Sequence, residues 1–343
     1  MSRALDEDVK EALKNGDHQA VFDEISTVLT HSSAELLEVE MLGMSHIFDP
    51  ATTILQDGNA IAVPKLRLVQ AFIVARQIFL AHVRGKRRGS DDAILRATAV
   101  ILLMDPEYLT AANVRKRLLQ KKMQDGDDAT KSLQNEKHFV DSLLTSRLHR
   151  HTKSPTLWNH RRWLMDQFKT GGVEVTAQDD IKTIITTSGE RHPRNYYAWC
   201  HARYLINTFI IPSPAHEQAL SRTITAIKQW SFGHHDDISG WQFLLFLLQK
   251  QQTEAQPTFR KTLQLAESFK WRNESVWYFL RYIVASTYLT DDDRGEFTRV
   301  RTALWETAAK DSQGRHTLEA VQTWLSHQDQ GASAGGRNAV VSG

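Results

Sequence analysis

The chain of 343 residues contains a single cysteine, Cys200. That excludes an intrachain disulfide framework and every cysteine-rich zinc motif, and it fits a reducing compartment. An excess of either charge is also missing: 42 basic residues stand against 40 acidic ones, for a net charge of +2. Such a balance provides no overall drive toward nucleic acid or an anionic membrane. Long apolar runs are absent as well. The stretches 97–104 and 243–248 are the most apolar, and both fall far short of the roughly 20 residues that a spanning helix needs. The charged amino terminus has neither a signal-peptide nor a transit-peptide pattern, and the final Val-Val-Ser-Gly is no prenylation signal. The expectation is a soluble, cytoplasmic protein with no membrane span and no nucleic-acid partner.

Catalytic signatures are missing too. There is no phosphate-binding P-loop, no dinucleotide fingerprint and no Gly-x-Ser-x-Gly elbow. The pairs His149/His151 and His234/His235 read as solvated loop histidines, and Asp291–Asp293 as a solvated turn without calcium-loop spacing. The basic run Arg115, Lys116, Arg117, Lys121 and Lys122 reads as a solvated helix face.

What is present is helix. Apolar residues make up 41% of the chain, enough for a sizeable core. The segment 65–83 places Leu66, Val69, Phe72, Ile73, Ile78, Phe79 and Val83 near helical spacing, and 91–104 predicts a second helix. No segment shows sustained strand alternation between hairpin turns. Residues 1–64 are expected to form an amino-terminal helical segment. Gly-Lys-Arg-Arg-Gly (85–89) reads as a basic loop and 124–128 as a polar turn. The polar, small-residue stretch 326–343 is expected to be a disordered tail.

Internal repetition carries the fold. Tryptophans 158, 199, 241 and 277 recur in SPTLWNHRRWLM, NYYAWCHARYLI, DISGWQFLLFLL and NESVWYFLRYIV, and Ala112 takes the tryptophan's place in YLTAANVRKRLL. Their spacing of roughly 36 to 46 residues suits one helical hairpin per copy. Four residues before the tryptophans stand Ser154, Asn195, Asp237 and Asn273, each a good helix N-cap. The tryptophans then fall one turn inside their helices, where packing is their ordinary role. The reading is an all-α, right-handed α-solenoid over 65–325, with about five repeats, clearest in 105–286.

Two kinds of residue within the copies bear on function. Arg161 and Arg162 sit beside a core tryptophan, where a guanidinium forks onto a carboxylate of the next repeat or of a partner; the former reading takes precedence. Lys153 directly precedes Ser154 at a helix start. Its charge works against the helix dipole, yet an ammonium beside exposed N–H groups suits an anion. From these residues alone a solvated lysine is the first reading.

NYYAWCHAR, with its Asn-Tyr-x-Ala-Trp core, resembles the repeat of protein prenyltransferase α-subunits. KSPTLWNHRRWL, HPRNYYAW and the aberrant DISGW look most like the repeat-containing members of that family, as distinct from the α-subunits of farnesyltransferase and Rab geranylgeranyltransferase. The resemblance spans about half the chain. It implies a non-autonomous α-subunit that acts with a β-subunit of the Rab geranylgeranyltransferase type, which would carry the zinc, so this chain needs no cofactor. The implied activity is prenyl transfer, most closely geranylgeranyl transfer, from a prenyl diphosphate to a C-terminal cysteine of a protein acceptor. Lys153 aligns with the lysine near the isoprenoid diphosphate. Thr156, Arg161, Asn195, Tyr196 and Arg203 are the matching substrate- or partner-binding candidates. Several positions depart from the pattern. Ala112 replaces tryptophan. Ala202, Leu244 and Leu280 stand at the usual arginine position. Thr156 stands where farnesyltransferase has a glutamine that meets a short acceptor peptide. The alternative is a helical-repeat scaffold that kept the fold without the chemistry, and an RNA-processing scaffold is a distant third.

Overall fold

The computed structural model describes residues 7–31, 33–43, 52–85, 89–125 and 129–335. Most of the basic loop expected at 85–89, much of the turn at 124–128 and the terminal 336–343 lie outside them. The described structure is all-α with one small sheet, as the helical spacing requires. It divides into two compact units, Met1–Thr176 with Thr187–His201, and Ala177–Thr186 with Ala202–Gly343.

The first unit opens with helices Glu7–Asn15 and His18–Thr30, the latter capped by Asp17 on the Ala20 N–H at 2.9 Å. The stretch expected to continue as helix is instead a three-stranded sheet of β1 (Glu38–Leu42), β2 (Leu55–Asp57) and β3 (Ala60–Pro64). Its order is β1-β3-β2, parallel between β1 and β3 and antiparallel between β2 and β3. The reason is local. Val39, Ile61 and Val63 turn one branched face into the core, and Gly58 supplies the positive φ of 58° that reverses the chain between β2 and β3. Each strand is too short for its alternation to register on its own. The Leu37 N–H donates to Ser142 Oγ at 3.0 Å and the Arg147 N–H to the Val39 carbonyl at 3.3 Å, which ties β1 to helix Ala129–Leu144 and the loop after it.

Helix Lys65–Val83 has the length and composition to cross a membrane, a test that core helices also pass. Here it packs against His18–Thr30 and Asp91–Met104, burying Leu66, Leu68, Ala71, Val74, Ala75 and Phe79. Helices Leu109–Asp125 and Ala129–Leu144 form the first repeat hairpin. The Trp158 helix, Pro155–Thr170, follows; the chain then passes through a continuous helix over 177–191, with a wider π-turn at Ile181–Ile185, whose first part, 177–186, belongs to the second unit.

In the second unit the alternation continues. The Trp199 helix, Tyr196–Leu205, which begins in the first unit, runs through a π-turn at Ile206–Ile210. Next come His216–Gly233, the Trp241 helix Ile238–Lys250, Ala255–Ser268, the Trp277 helix Glu274–Val284, and Asp291–Glu306. The last helix, Gln313–Gly335, passes the point where the tail was expected to begin, held by the buried Leu318 and Val321.

The four repeat tryptophans are buried to 3% exposure or less, and the copies share a polar joint. The indole N–H of Trp158, Trp241 and Trp277 donates to the carbonyl six residues earlier, on Thr152, His235 and Trp271, at 2.8, 3.1 and 2.8 Å. The cap residue of a following copy reaches back to the same carbonyl of its predecessor. Asn195 Nδ2 donates to Thr152 O at 2.7 Å, and Asn273 Nδ2 to His235 O at 2.6 Å. Ser154 Oγ does likewise to Pro106 O at 3.1 Å, where Ala112 leaves the tryptophan's share unfilled. Both lone pairs of a buried carbonyl are thus satisfied across a repeat boundary. Ser154 and Asp237 also cap as expected, on Leu157 N–H and on the Ser239 and Gly240 N–H groups. Asn273 makes no cap bond: its Nδ2 serves the His235 carbonyl, but its Oδ1 is not aimed at a backbone N–H. Replacing Asn195 with alanine removes both a cap and a joint. A loss of about 1–2 kcal/mol in urea unfolding is expected, larger than for an exposed cap.

Candidate functional site

The site lies in the first unit where three copies meet, around the end of the short helix His149–Thr152. Lys153 follows it at φ −107° and ψ 10° and is exposed. The next residue, Ser154, caps a helix that starts with Pro155, whose missing N–H is one of those a helix start leaves unpaired anyway. Thr152, on the other side of Lys153, is fully buried and anchored through its carbonyl to Trp158 and Asn195. The lysine is therefore pinned at its backbone on both sides while its side chain stands in solvent. Among the described residues no carboxylate lies within ion-pair distance of it.

Two histidines complete the neighbourhood. His149 Nδ1 lies 3.3 Å from His192 Nδ1, with the rings edge to face at 5.5 Å between centroids. Burial, then the Lys153 charge, then His149 push the His192 imidazole below its ordinary range. Nearby cations are turned elsewhere. Arg150 meets Asp105 at 3.0 Å, while Arg147 and Arg191 face Glu38 at 4.0 and 3.8 Å. Arg194 adopts a left-handed φ of 60°, a costly geometry for a side-chain-bearing residue, just before the loop enters the Trp199 helix at Asn195.

The remaining candidates separate. Tyr196 is 69% exposed, with the ring of Tyr197 edge-on at 5.6 Å, so the pair presents aromatic surface to solvent. Asn195 is 1% exposed and spent on the repeat joint. Thr156 donates its hydroxyl to Glu107 at 2.8 Å. Arg203 belongs to the second unit, where its guanidinium lies 5.8 and 5.5 Å from the rings of Phe243 and Phe246.

Arg161 is fully buried. Its Nε donates to Asp141 Oδ1 at 2.7 Å, and its Nη1 lies 2.7 Å from His201 Nε2. A guanidinium only donates, so His201 Nε2 is the bare acceptor and the ring is neutral. Lys137 closes the set on Asp141 at 2.7 Å. A second set lies on the same helix. Arg115 forks onto Glu136 at 2.8 and 2.7 Å, and His160 Nε2 sits 3.0 Å from Glu136. Burial pushes the Glu136 carboxyl up, but Arg115 and His160 outweigh it and hold it down at about 2. Arg115 thus leaves the solvated basic face expected of it: three residues after Ala112 it takes the same register as Arg161 after Trp158, facing the core. His151 is not solvated either, being 3% exposed, with Nε2 placed to donate to the carbonyls of Leu102 and Leu103. Asp293 is likewise no solvated turn. Its carboxylate accepts from Gln256 and Arg260 and forms a capping box with Thr290.

The sequence reading missed the pairing of His149 with His192. No spacing signals it, since the rings meet only through stacking of successive copies. Among the described residues, no group of three or more His, Cys, Asp or Glu is arranged to hold a metal ion.

Comparison with known proteins supports the repeat reading. The protein prenyltransferase alpha subunit repeat matches residues 134–168, which contain Lys153 and Arg161. A second family, the ECM9 middle domain, matches residues 157–269. The chain is similar to Protein prenyltransferase alpha subunit repeat-containing protein 1 of Danio rerio, 36% identical over 78 residues, which cover 23% of this chain and 16% of the relative. The Homo sapiens protein of the same name is 29% identical over 171 residues, covering 46% of this chain and 40% of the relative. The chain thus aligns with less than half the length of either relative. The family resemblance read in the sequence stands: the chain is similar to prenyltransferase α-subunit repeat-containing proteins and carries a matching repeat at 134–168.

Proposed function

We propose that this chain is the non-autonomous α-subunit of a heterodimeric protein prenyltransferase, one that transfers a geranylgeranyl-type group to a protein cysteine with a zinc-bearing β-subunit. The observation that carries the reading is Lys153: an exposed ammonium with no carboxylate partner among the described residues, held at a helix start inside the segment that matches the family repeat. Its role is electrostatic. As sulfur attacks the prenyl carbon and the carbon–oxygen bond breaks, negative charge gathers on the leaving diphosphate. A fixed cation there stabilises the transition state more than the ground state. Tyr196 and Tyr197, both exposed on the adjoining copy, supply aromatic surface for the partner or the isoprenoid.

A second reading, a scaffold without chemistry, is favoured by the commitment of Thr156 to Glu107 and of Asn195 to the repeat joint, which removes both from substrate contact. The test is transfer of labelled geranylgeranyl diphosphate to cellular protein by this chain co-expressed with a Rab-type β-subunit. Lys153→Ala is expected to lower turnover about 10²–10³-fold, comparable to deleting one oxyanion donor, with the heterodimer intact on gel filtration. A complex that forms without transfer to any acceptor supports the scaffold. Failure to bind any β-subunit rules out the enzyme reading.

A further inference from the structure

We infer that His149 and His192, with Lys153, form a proton-gated site for an oxyanion of the pyrophosphate class. The inference rests on the diphosphate reading of Lys153 for its ligand, and on the geometry of the His149–His192 pair for its pH dependence.

The two Nδ1 atoms face each other at 3.3 Å, long for a hydrogen bond between imidazoles. In the neutral pair one Nδ1 must hold a proton and the other must accept it. Protonating both rings places two cations side by side, next to the Lys153 ammonium. Arg150 is paired with Asp105, Arg147 and Arg191 are turned to Glu38, and Glu190 and Arg194 stand two residues before and after His192. Among the described residues neither histidine has a carboxylate partner.

A dianion supplies the counter-charge that no described carboxylate gives by direct pairing. Seated against the two rings and the ammonium, it accepts an N–H from each imidazolium and pairs with the lysine, three charge-assisted contacts. Binding then raises the affinity of both imidazoles for protons, and linkage requires the reciprocal: the anion binds more tightly as pH falls and takes up protons as it does so. For a leaving diphosphate the consequence is direct. The same pair that grips it when protonated relaxes its hold as the protons leave.

The experiment is isothermal titration of the chain alone with inorganic pyrophosphate and, separately, with sulfate, a dianion that does not titrate near neutrality. Each is run at about pH 6 and about pH 8, on either side of the ordinary histidine value. Wild type is expected to bind about tenfold or more tightly at the lower pH, with proton uptake shown by titration in buffers of differing ionisation enthalpy. In His149→Gln/His192→Gln the sulfate dependence on pH should vanish, and the pyrophosphate dependence should shrink to that of the probe itself. Lys153→Met should weaken binding at both pH values, with the tighter binding still at the lower pH. Circular dichroism verifies that each variant is folded. Absence of binding, or an unchanged pH ratio in the double variant, overturns the proposal. Because no β-subunit is present, the outcomes separate. Failed transfer with pH-linked binding intact counts against the enzyme reading alone, and transfer without such binding counts against this site alone.

Discussion

Asp141→Ala is expected to destabilise the first unit by about 3–5 kcal/mol, read as a fall in the urea midpoint with an unchanged slope. The carboxylate is 1% exposed and is the acceptor for both Arg161 Nε and Lys137 Nζ. Burial on its own pushes the Asp141 carboxyl up, yet Arg161 and then Lys137 hold it below the usual carboxylate range. Deleting it takes the carboxylate from a fully buried guanidinium and leaves its Nη1 facing a ring nitrogen, His201 Nε2. The size of the loss comes from that uncompensated charge rather than from the ion pair's own net worth. The control is Asp141→Ala with Arg161→Leu. Removing both charges should restore much of the loss, and a double variant no better than the single one would refute the account.

Acid should act on the same region. His151, His160 and His201 are buried and neutral, and burial is the leading cause that holds each below its ordinary value, His151 at about 4. For His201 the charges of Arg161, Arg162 and Lys137 add to burial. A histidine depressed in the folded state leaves stability intact above its unfolded value of about 6.5 and removes it as pH falls below that, because only the unfolded chain takes the proton. For His151 alone the loss reaches about 3 kcal/mol by pH 4. Stability should therefore decline steadily from about pH 6.5 downward, well before carboxylates titrate. Glu136, held at about 2, adds its own loss only below about pH 4.5. The check is a series of urea midpoints from pH 7.5 to 4.5. A flat profile down to pH 5 would show that these rings are solvated. His201→Gln should flatten part of the slope, since glutamine's carbonyl oxygen can accept from Arg161 without titrating.

These two results concern one structural device. Helix Ala129–Leu144 carries Glu136, Lys137 and Asp141, and its carboxylates serve arginines of two successive copies. Paired charges inside a repeat protein fix which neighbour each hairpin takes, a role that apolar packing alone performs less selectively. In the outer copies Ala202, Leu244 and Leu280 stand at the arginine's register and are fully buried, so the core there is apolar.

The sequence by itself determined the helical hairpins, their period, the buried tryptophans and the cap positions. Each is a local property: a 3.6-residue stripe, an Asn or Ser at a helix start, a large ring one turn further on. It also singled out Lys153, whose exposure follows from standing just outside a capped helix. Tertiary structure alone decided the partnerships. Arg115 and Lys116 are neighbours in sequence, yet one is buried on Glu136 and the other stands half-buried, 5.8 Å from the Trp163 ring. His149 and His151 differ by two residues, which on a helix means nearly opposite faces, so one meets His192 and the other the carbonyls of Leu102 and Leu103. The short strands 38–42 and 60–64 form only because each finds the other across intervening chain. Periodicity records which way a side chain points; what waits there is set by residues some 40 positions away, and no local pattern carries that information.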